Sequence, residues 1–291
     1  MKKICIIGAG HAFHYQYKAL KDLGYEILVC DKDREKISGF DNTINDYRNI
    51  PDDYKIVLVS TPPNTHCEII KYLNSVGKTI ICEKPLVVSM EELDSIESSS
   101  YEFYNILHFS FGDEIEWFIN SKYFSLVPNN MKVYINDPYI ENNHIIDSKV
   151  LLNGSYLDET INPISAILRI YKKDIKFISV DRKYYEGDKY DYYSNSKFIM
   201  DDVLIDCFVN WNDYGDKSKY IDLYYDNFVL RLDSMNRSVI NLSSGEILYK
   251  CDEDRMYKHY INGFKDFNKI KENSKYSLYL NREILKGVSD V

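Results

Sequence analysis

The chain lacks the residue patterns that staple small folds or build metal centres. Its six cysteines (Cys5, Cys30, Cys67, Cys82, Cys207 and Cys251) are scattered, with no C-x-x-C pair. That excludes a disulfide framework and a cysteine zinc site. Cys5, Cys30 and Cys82 lie within or at the ends of apolar runs, where a thiol packs as a small hydrophobe. No His, Cys, Asp or Glu residues cluster at metal-ligand spacing, so no metal is expected. Long apolar runs are missing as well. Residues 1–8 begin with the basic character of a signal peptide, but the apolar run is too short, and Gly8 and His11 interrupt it. No transmembrane span is expected, and the reading is a cytoplasmic protein with reduced thiols. Basic excess is absent too: 36 Lys and Arg face 45 Asp and Glu, for a net charge of −9. That balance argues against non-specific binding to nucleic acid or to anionic membranes.

What is present is ordinary for a globular protein. The 291 residues are 45% hydrophobic and 28% charged, enough for two domains or one large one with ample core. Lys3 to Ile7 is a continuous apolar strand candidate, followed at once by Gly8-Ala9-Gly10. A helix is expected next, with Phe13, Tyr17 and Leu20 at helical spacing and a stop at Gly24. Tyr25 to Cys30 is the next strand, closed by Asp31. A strand, glycine turn, helix, strand and acid in this order form the dinucleotide-binding arrangement. Gly8 makes the tight turn, Gly10 admits a pyrophosphate, and the helix N-terminus faces its negative charge. His11, Ala12 and Phe13 complete the turn, with His11 placed to touch the pyrophosphate or to lie in solvent. Phe13 occupies the third glycine position of G-x-G-x-x-G, which serves mainly helix–strand packing. Asp31 follows Gly8 at about the 20-residue distance expected of a ribose-binding carboxylate. It favours NAD over NADP, while Lys32 and Arg34 nearby soften that preference by offering charge to a 2′-phosphate.

A short strand is expected around Thr43–Ile44, and a clear one from Ile56 to Ser60. The latter breaks at Thr61-Pro62-Pro63-Asn64-Thr65-His66 and resumes as a helix through Val76, with Thr65 as N-cap. Thr79 to Cys82 is another buried strand, ended by Glu83, Lys84 and Pro85. Ligands of open α/β sheets bind beyond the carboxyl ends of the strands, so Glu83 and Lys84 are expected at a ligand. Ser89 with Glu92 makes a capping box for a helix to Ser98, and Tyr104 to His108 closes the sheet.

Three segments, Gly8-Ala9-Gly10, Thr61-Pro62-x-x-x-His66 and Glu83-Lys84-Pro85, stand in register. Together they resemble the glucose–fructose oxidoreductase/inositol dehydrogenase (Gfo/Idh/MocA) family, most strongly over residues 1–90. The resemblance implies an α/β fold: an N-terminal Rossmann domain with a parallel sheet (1–110) and a C-terminal α+β domain with a mainly antiparallel open sheet (111–291). It also implies NAD or NADP, held by Gly8, Gly10, Asp31, Ser60, Thr61, Pro62, His66 and Glu83, with Lys84 near both nicotinamide and substrate. Hydride would pass between nicotinamide C4 and a hydroxyl-bearing carbon, commonly of a sugar or cyclitol. The open sheet implies a homodimer or homotetramer.

Beyond Phe111 tyrosine dominates, and alternating runs (203–209, 220–225, 228–232) read as antiparallel strands with turns at Asp226-Asn227 and 243–245. Ser194-Asn195-Ser196 reads as a short polar turn. Helices are expected over Met256–Phe264 with Phe267, and over Ser277–Leu285. The informative piece runs from Gly154 to Ile164, which resembles the family's helix carrying Asp-x-x-x-His. Asp158 matches the acid, but the histidine position is Asn162. An amide does not exchange protons near neutral pH, whereas an imidazole does. Three readings stand side by side. Lys84 or Tyr156 takes the proton; an imine is reduced, needing less help; or the dinucleotide pocket serves sensing or assembly without dehydrogenase chemistry. His108 and His144 are the other imidazoles available as substitutes.

Overall fold

The computed structural model describes residues 2–98, 103–212, 215 and 217–288. The chain divides into two units, Met1–Leu107 with Met256–Leu278, and His108–Arg255 with Tyr279–Val291. The expected division at residue 110 placed the whole C-terminal segment in the second domain. Instead, residues 256–278 return to the first unit, where Tyr260 of the helix Arg255–Phe264 reaches Glu83 and Ser274 pairs with the backbone of Asn105. Aromatic spacing alone does not say which core such a helix joins.

The first unit is built on six strands: β1 (Lys2–Ile7), β2 (Tyr25–Cys30), β3 (Thr43–Ile44), β4 (Ile56–Val59), β5 (Thr79–Glu83) and β6 (Phe103–Ile106). They lie in the order β3-β2-β1-β4-β5-β6, every pair parallel. This is a doubly wound sheet whose direction reverses between β1 and β4, where ligands of such sheets bind. Its central strands are fully buried, as their unbroken apolar sequences demand: Ile4, Cys5, Ile6, Val57, Leu58, Val59 and Ile80 are all inaccessible. The last strand ends at Ile106, and His108 begins a 3₁₀ turn instead of extending it. Ser89 caps the helix Met90–Glu97 as expected, accepting from the Glu92 amide at 3.2 Å, but Glu92 reaches back to the amide of Val88.

The second unit carries β7 (Asn130–Asn136), a small hairpin of β8 (Ile140–Glu141) and β9 (His144–Ile145), and seven further strands. These are β10 (Ile175–Lys183), β11 (Tyr193–Met200), β12 (Val203–Asn210), β13 (Ser218–Tyr224), β14 (Val229–Asp233), β15 (Ser238–Asn241) and β16 (Glu246–Lys250). The large sheet has the order β10-β11-β12-β7-β13-β14-β15-β16 and is antiparallel except between β12 and β7. The helix Ser155–Tyr171 packs against β11 and β12. Ser194-Asn195-Ser196 is no turn: it lies inside β11, with Ser194 and Ser196 buried on the same side as Phe198 and Met200. Small serines at alternate positions fit where a strand and a helix approach closely, and a polarity-based reading mistakes them for a loop.

Candidate functional site

The candidate dinucleotide site of the first unit lies at the ends of β1, β2 and β4. Gly8 takes φ +99°, and a Cβ there would stand 2.5 Å from the Ser60 carbonyl oxygen, so only glycine lets β1 and β4 converge in this way. The Gly8 amide donates to the Cys30 carbonyl and the Ser60 amide to the Ile7 carbonyl, both at 2.8 Å, knitting the three strand ends together. Gly10 is exposed, with nothing within 4 Å of where its Cβ would be. The helix Phe13–Asp22 follows with Ala12 as N-cap, whose side chain makes no cap hydrogen bond, and the Phe13 and Tyr15 amides donate to the Gly10 and Ala12 carbonyls at 3.3 and 3.2 Å. A helix start beside an open glycine suits a phosphate. His11 is exposed at this turn. Asp31, at the end of β2, accepts from the Ala9 amide at 2.8 Å and from the Asp33 amide at 2.9 Å. One carboxylate therefore fixes the glycine turn and stands at the position expected of a ribose ligand.

Phe13 is not part of the crevice lining. Its ring is fully buried, 5.2 Å edge-on from Phe40 and 5.6 Å from Tyr17. An aromatic in the third glycine position is accommodated by turning into this cluster, away from the strand that a glycine would let the helix approach. Lys32 is exposed, Pro62 is exposed, and Ser60 and Thr61 are half-buried. Thr65 holds the N-cap position of His66–Ser75 as expected, but its side chain makes no cap hydrogen bond, and a 3₁₀ turn (Pro63–Thr65) precedes the helix. Its hydroxyl donates back to the Pro62 carbonyl at 2.7 Å and lies 2.7 Å from the Thr61 hydroxyl.

Two residues expected to meet a ligand are turned inward. His66 is wholly enclosed, with Nε2 2.9 Å from the Thr61 carbonyl oxygen and Nδ1 3.1 and 3.2 Å from those of Pro85 and Leu86. Burial lowers its pKa, so the neutral ring is favoured, though the surrounding carbonyls pull the other way. Glu83 is 6% exposed, and its Oε1 accepts from Gln16 Nε2 at 2.8 Å and from the Tyr260 hydroxyl at 2.6 Å. Burial raises its pKa against the opposing pull of Tyr260 and Lys84. Lys84 itself is partly exposed and precedes a cis bond to Pro85.

In the second unit the helix Ser155–Tyr171 begins at Gly154, whose φ is +95°. Asp191 caps it, accepting from the Ser155 hydroxyl at 2.5 Å and the Tyr156 amide at 2.8 Å. Asp158, Glu159 and Asn162 are all buried on this helix. Asn162 Nδ2 donates to Glu159 Oε2 at 3.0 Å. Lys219 Nζ bridges Glu159 Oε1 at 2.8 Å and Asp137 Oδ2 at 2.6 Å. Two carboxylates thus share one ammonium, and burial pushes Asp137 up to about 6, with Lys219 opposing and Glu159 reinforcing the rise. Sequence reading missed Asp137, Glu159 and Lys219, because they are far apart in the chain and only the packing of the helix beside the ends of β7 and β13 brings them together. Tyr156 is no proton carrier: it is fully buried, donates to the Ile284 carbonyl at 2.9 Å, and burial holds its phenol far above the ordinary range. His144 is exposed and lies 3.0 Å from Asp188, whereas His108 is buried. Among the described residues no group of three or more metal-capable side chains comes together, and no helix is long and apolar enough to cross a membrane.

Comparison with known proteins agrees with the first unit. Residues 2–101 match a family model described as an oxidoreductase family with an NAD-binding Rossmann fold. An uncharacterized oxidoreductase of Schizosaccharomyces pombe is 30% identical over 104 residues, covering 31% of this chain and 28% of that protein. A levoglucosan dehydrogenase of Pseudarthrobacter phenanthrenivorans is 45% identical over 56 residues, 19% of this chain and 14% of that enzyme. The matched stretches therefore span less than a third of either relative. A 3-ketoreductase from Actinomadura kijaniata, solved with TDP-benzene and NADP, has the same fold throughout, with a TM-score of 0.78. It covers 99% of this chain and 96% of its own at 13% identity.

Proposed function

We propose that this chain, which belongs over residues 2–101 to the Gfo/Idh/MocA oxidoreductase family with its NAD-binding Rossmann fold, is an NAD(P)-dependent oxidoreductase. Its substrate in this reading is a small polar molecule, a sugar- or cyclitol-like alcohol or ketone. The observation that carries the proposal is the crevice in which Gly8 meets Ser60, Gly10 lies open and Asp31 closes β2. When bound, the dinucleotide would supply the hydride acceptor or donor at its nicotinamide ring. The backbone of Gly10, His11 and Ala12 holds the pyrophosphate, Asp31 binds the ribose, and Ser60, Thr61 and Pro62 line the path onward. Asp31 favours NAD, and the exposed Lys32 leaves NADP admissible.

Lys84 is the acid/base of this reading: its amine takes the hydroxyl proton as hydride leaves the carbon, and returns it in the reverse direction. Asp158 and Asn162 orient substrate hydroxyls. The sugar-like substrate class is supported by the levoglucosan dehydrogenase and the 3-ketoreductase among the similar proteins. The open sheet of the second unit is proposed as the homodimer or homotetramer surface, and the cytoplasm as the compartment.

A second reading, reduction of an imine, is favoured by one observation. The amide of Asn162 is tied to Glu159 and neither gives up nor takes a proton near neutral pH, and reduction of a protonated imine needs no such transfer. Titration of the purified protein with NADH and NADPH, followed by energy transfer from its aromatic residues, tests the cofactor assignment. Polyols and cyclic imines are then offered side by side. Micromolar binding of NADH with turnover of a polyol is the expected result. No binding at millimolar concentration sinks the oxidoreductase reading, and turnover of imines alone selects the second.

A further inference from the structure

Lys84 leaves β5 between two buried groups that grip its segment from opposite sides. On one side the Lys84 amide donates to Glu83 Oε2 at 3.1 Å, while Glu83 Oε1 is held by Gln16 and Tyr260. On the other, His66 joins the carbonyls of Pro85 and Leu86 to that of Thr61. Each anchor leads to a different dinucleotide loop. Gln16 belongs to the helix that starts at the glycine turn, and Thr61 to the loop after β4. Tyr260 arrives from a helix more than 170 positions along the chain.

These are costly choices for simple packing. A buried carboxylate and a buried imidazole are tolerated only when their polar atoms are bonded, and an apolar pair would fill the space more cheaply. The neighbours Cys82 and Leu86 show that this segment packs apolar side chains without accessible surface. The charged and titratable groups facing Glu83 are Lys84, Tyr260 and Cys82.

We propose that Gln16, Glu83, Tyr260 and His66 are positioning residues that fix the backbone from which the Lys84 side chain projects and couple it to both dinucleotide loops. The proposal rests on the reading of Lys84 as acid/base given above. A shift of the glycine turn reaches Lys84 through Gln16 and Glu83, and a shift of the Thr61 loop reaches it through His66. Removing the Tyr260 hydroxyl weakens the stabilisation of the Glu83 anion. The Glu83 carboxylate is then free to turn, so its charge no longer stands at a fixed distance from Lys84, and the pH at which the Lys84 amine becomes free falls.

The test is competitive acylation of the full-length protein with acetic anhydride across a pH series, read at Lys84 by peptide mass spectrometry, with and without NADH. In the wild type, NADH is expected to shift the Lys84 labelling midpoint. In Tyr260→Phe the midpoint without NADH falls by roughly half a pH unit or more. In both Tyr260→Phe and His66→Gln, most of the NADH-dependent shift disappears, while the NADH dissociation constant changes less than about threefold, well under 1 kcal/mol. A wild-type-like midpoint and NADH response in folded Tyr260→Phe overturns the proposal, and so does a wild-type midpoint that ignores bound NADH. If NADH does not bind at all, the dinucleotide reading fails separately, and the cofactor-free midpoint of Tyr260→Phe still decides the positioning role.

Discussion

A Cβ on Gly8 would stand 2.5 Å from the carbonyl oxygen of Ser60, a separation that real Cβ atoms do not adopt. The contact sets the width of the crevice between β1 and β4, and it separates two glycines that look alike in the sequence. Gly8 has a left-handed φ and backbone against it, whereas Gly10 has open space. Gly8→Ala is expected to cost about 2–4 kcal/mol, from the left-handed conformation together with forced separation of the strand ends. It should lower the melting temperature by several degrees. Gly10→Ala is expected to melt as the wild type does but to bind NADH at least tenfold more weakly, because the methyl group occupies the approach of the pyrophosphate. Melting curves and NADH titrations of the two variants check this, and a Gly10→Ala protein with undiminished affinity would remove the glycine turn from the binding site.

In the proposed site, Asp31 is the residue expected to set the preference between the two dinucleotides. Both of its oxygens already accept amides, from Ala9 and Asp33, so its carboxylate is fixed in place before any ribose arrives. Asp31→Asn keeps the shape and removes the charge that repels a 2′-phosphate. The ratio of NADPH to NADH affinity is expected to rise about tenfold or more, equivalent to about 1.4 kcal/mol. Parallel fluorescence titrations measure it; an unchanged ratio would assign the discrimination to Lys32 and Arg34 instead.

The first unit was largely legible because its information is local. Continuous apolar strands, a glycine turn, an acid after β2 and a proline after β5 each announce their own structure within a few residues. The order of the six strands then follows from the parallel connections. What escaped reading is non-local. Glu83 looks like a ligand-facing charge at a strand end, yet it is satisfied by Tyr260, and nothing near either residue in the chain announces the pairing. Ser194 and Ser196 look like a turn, yet they lie on the buried face of β11, where their partners in β12 decide the matter. Asp191 caps a helix that starts 36 residues earlier, and its oxygen fills the space that a side chain on Gly154 would need. In the second unit the helix bearing Asp158 and Asn162 was readable by resemblance, but Lys219, which pairs with its Glu159, comes from β13, and Asp137, which shares that ammonium, comes from just beyond β7.

Stability should fall as the pH rises through neutrality, and Glu114 is a principal cause. It is fully buried, and burial pushes its carboxyl up to about 7, with its own backbone amide and Arg255 opposing the rise. Asp137 is raised as well, to about 6. The folded state therefore holds protons that the unfolded chain, with carboxyl pKa values near 4, has already released. Between about pH 4 and 7 the folded state binds more protons, so this contribution is fully present below the unfolded pKa and is lost as pH rises through the folded values. Glu114→Gln is expected to stabilise the protein at pH 8 by an amount on the order of 3 kcal/mol at most, with little change at pH 4. Chemical denaturation at the two pH values checks it, and an equal effect at both would mean that Glu114 does not titrate with folding.

The most consequential single substitution is Asn162→His. The Asn162 amide is 3.0 Å from Glu159, whose other oxygen binds Lys219, so the position is already wired to buried charge but has no group that titrates near neutral pH. An imidazole there sits one helical turn beyond Asp158 and titrates, when unperturbed, near pH 6.5. Placing the larger ring in a buried site costs about 1–3 kcal/mol, so the fold is verified first by its melting curve. If proton transfer limits turnover, the variant is expected to oxidise the accepted polyol about 10²-fold faster, within the range a positioned acid/base supplies. Its kcat should gain a limb near pH 6–7 that the wild type lacks. The wild-type profile should instead rise towards alkaline pH as Lys84 loses its proton, and Lys84→Met should flatten that rise. A folded Asn162→His protein with the wild-type rate and pH profile would place position 162 outside the path of the substrate proton. In that case Lys84 would be left as the group on which the alcohol chemistry depends.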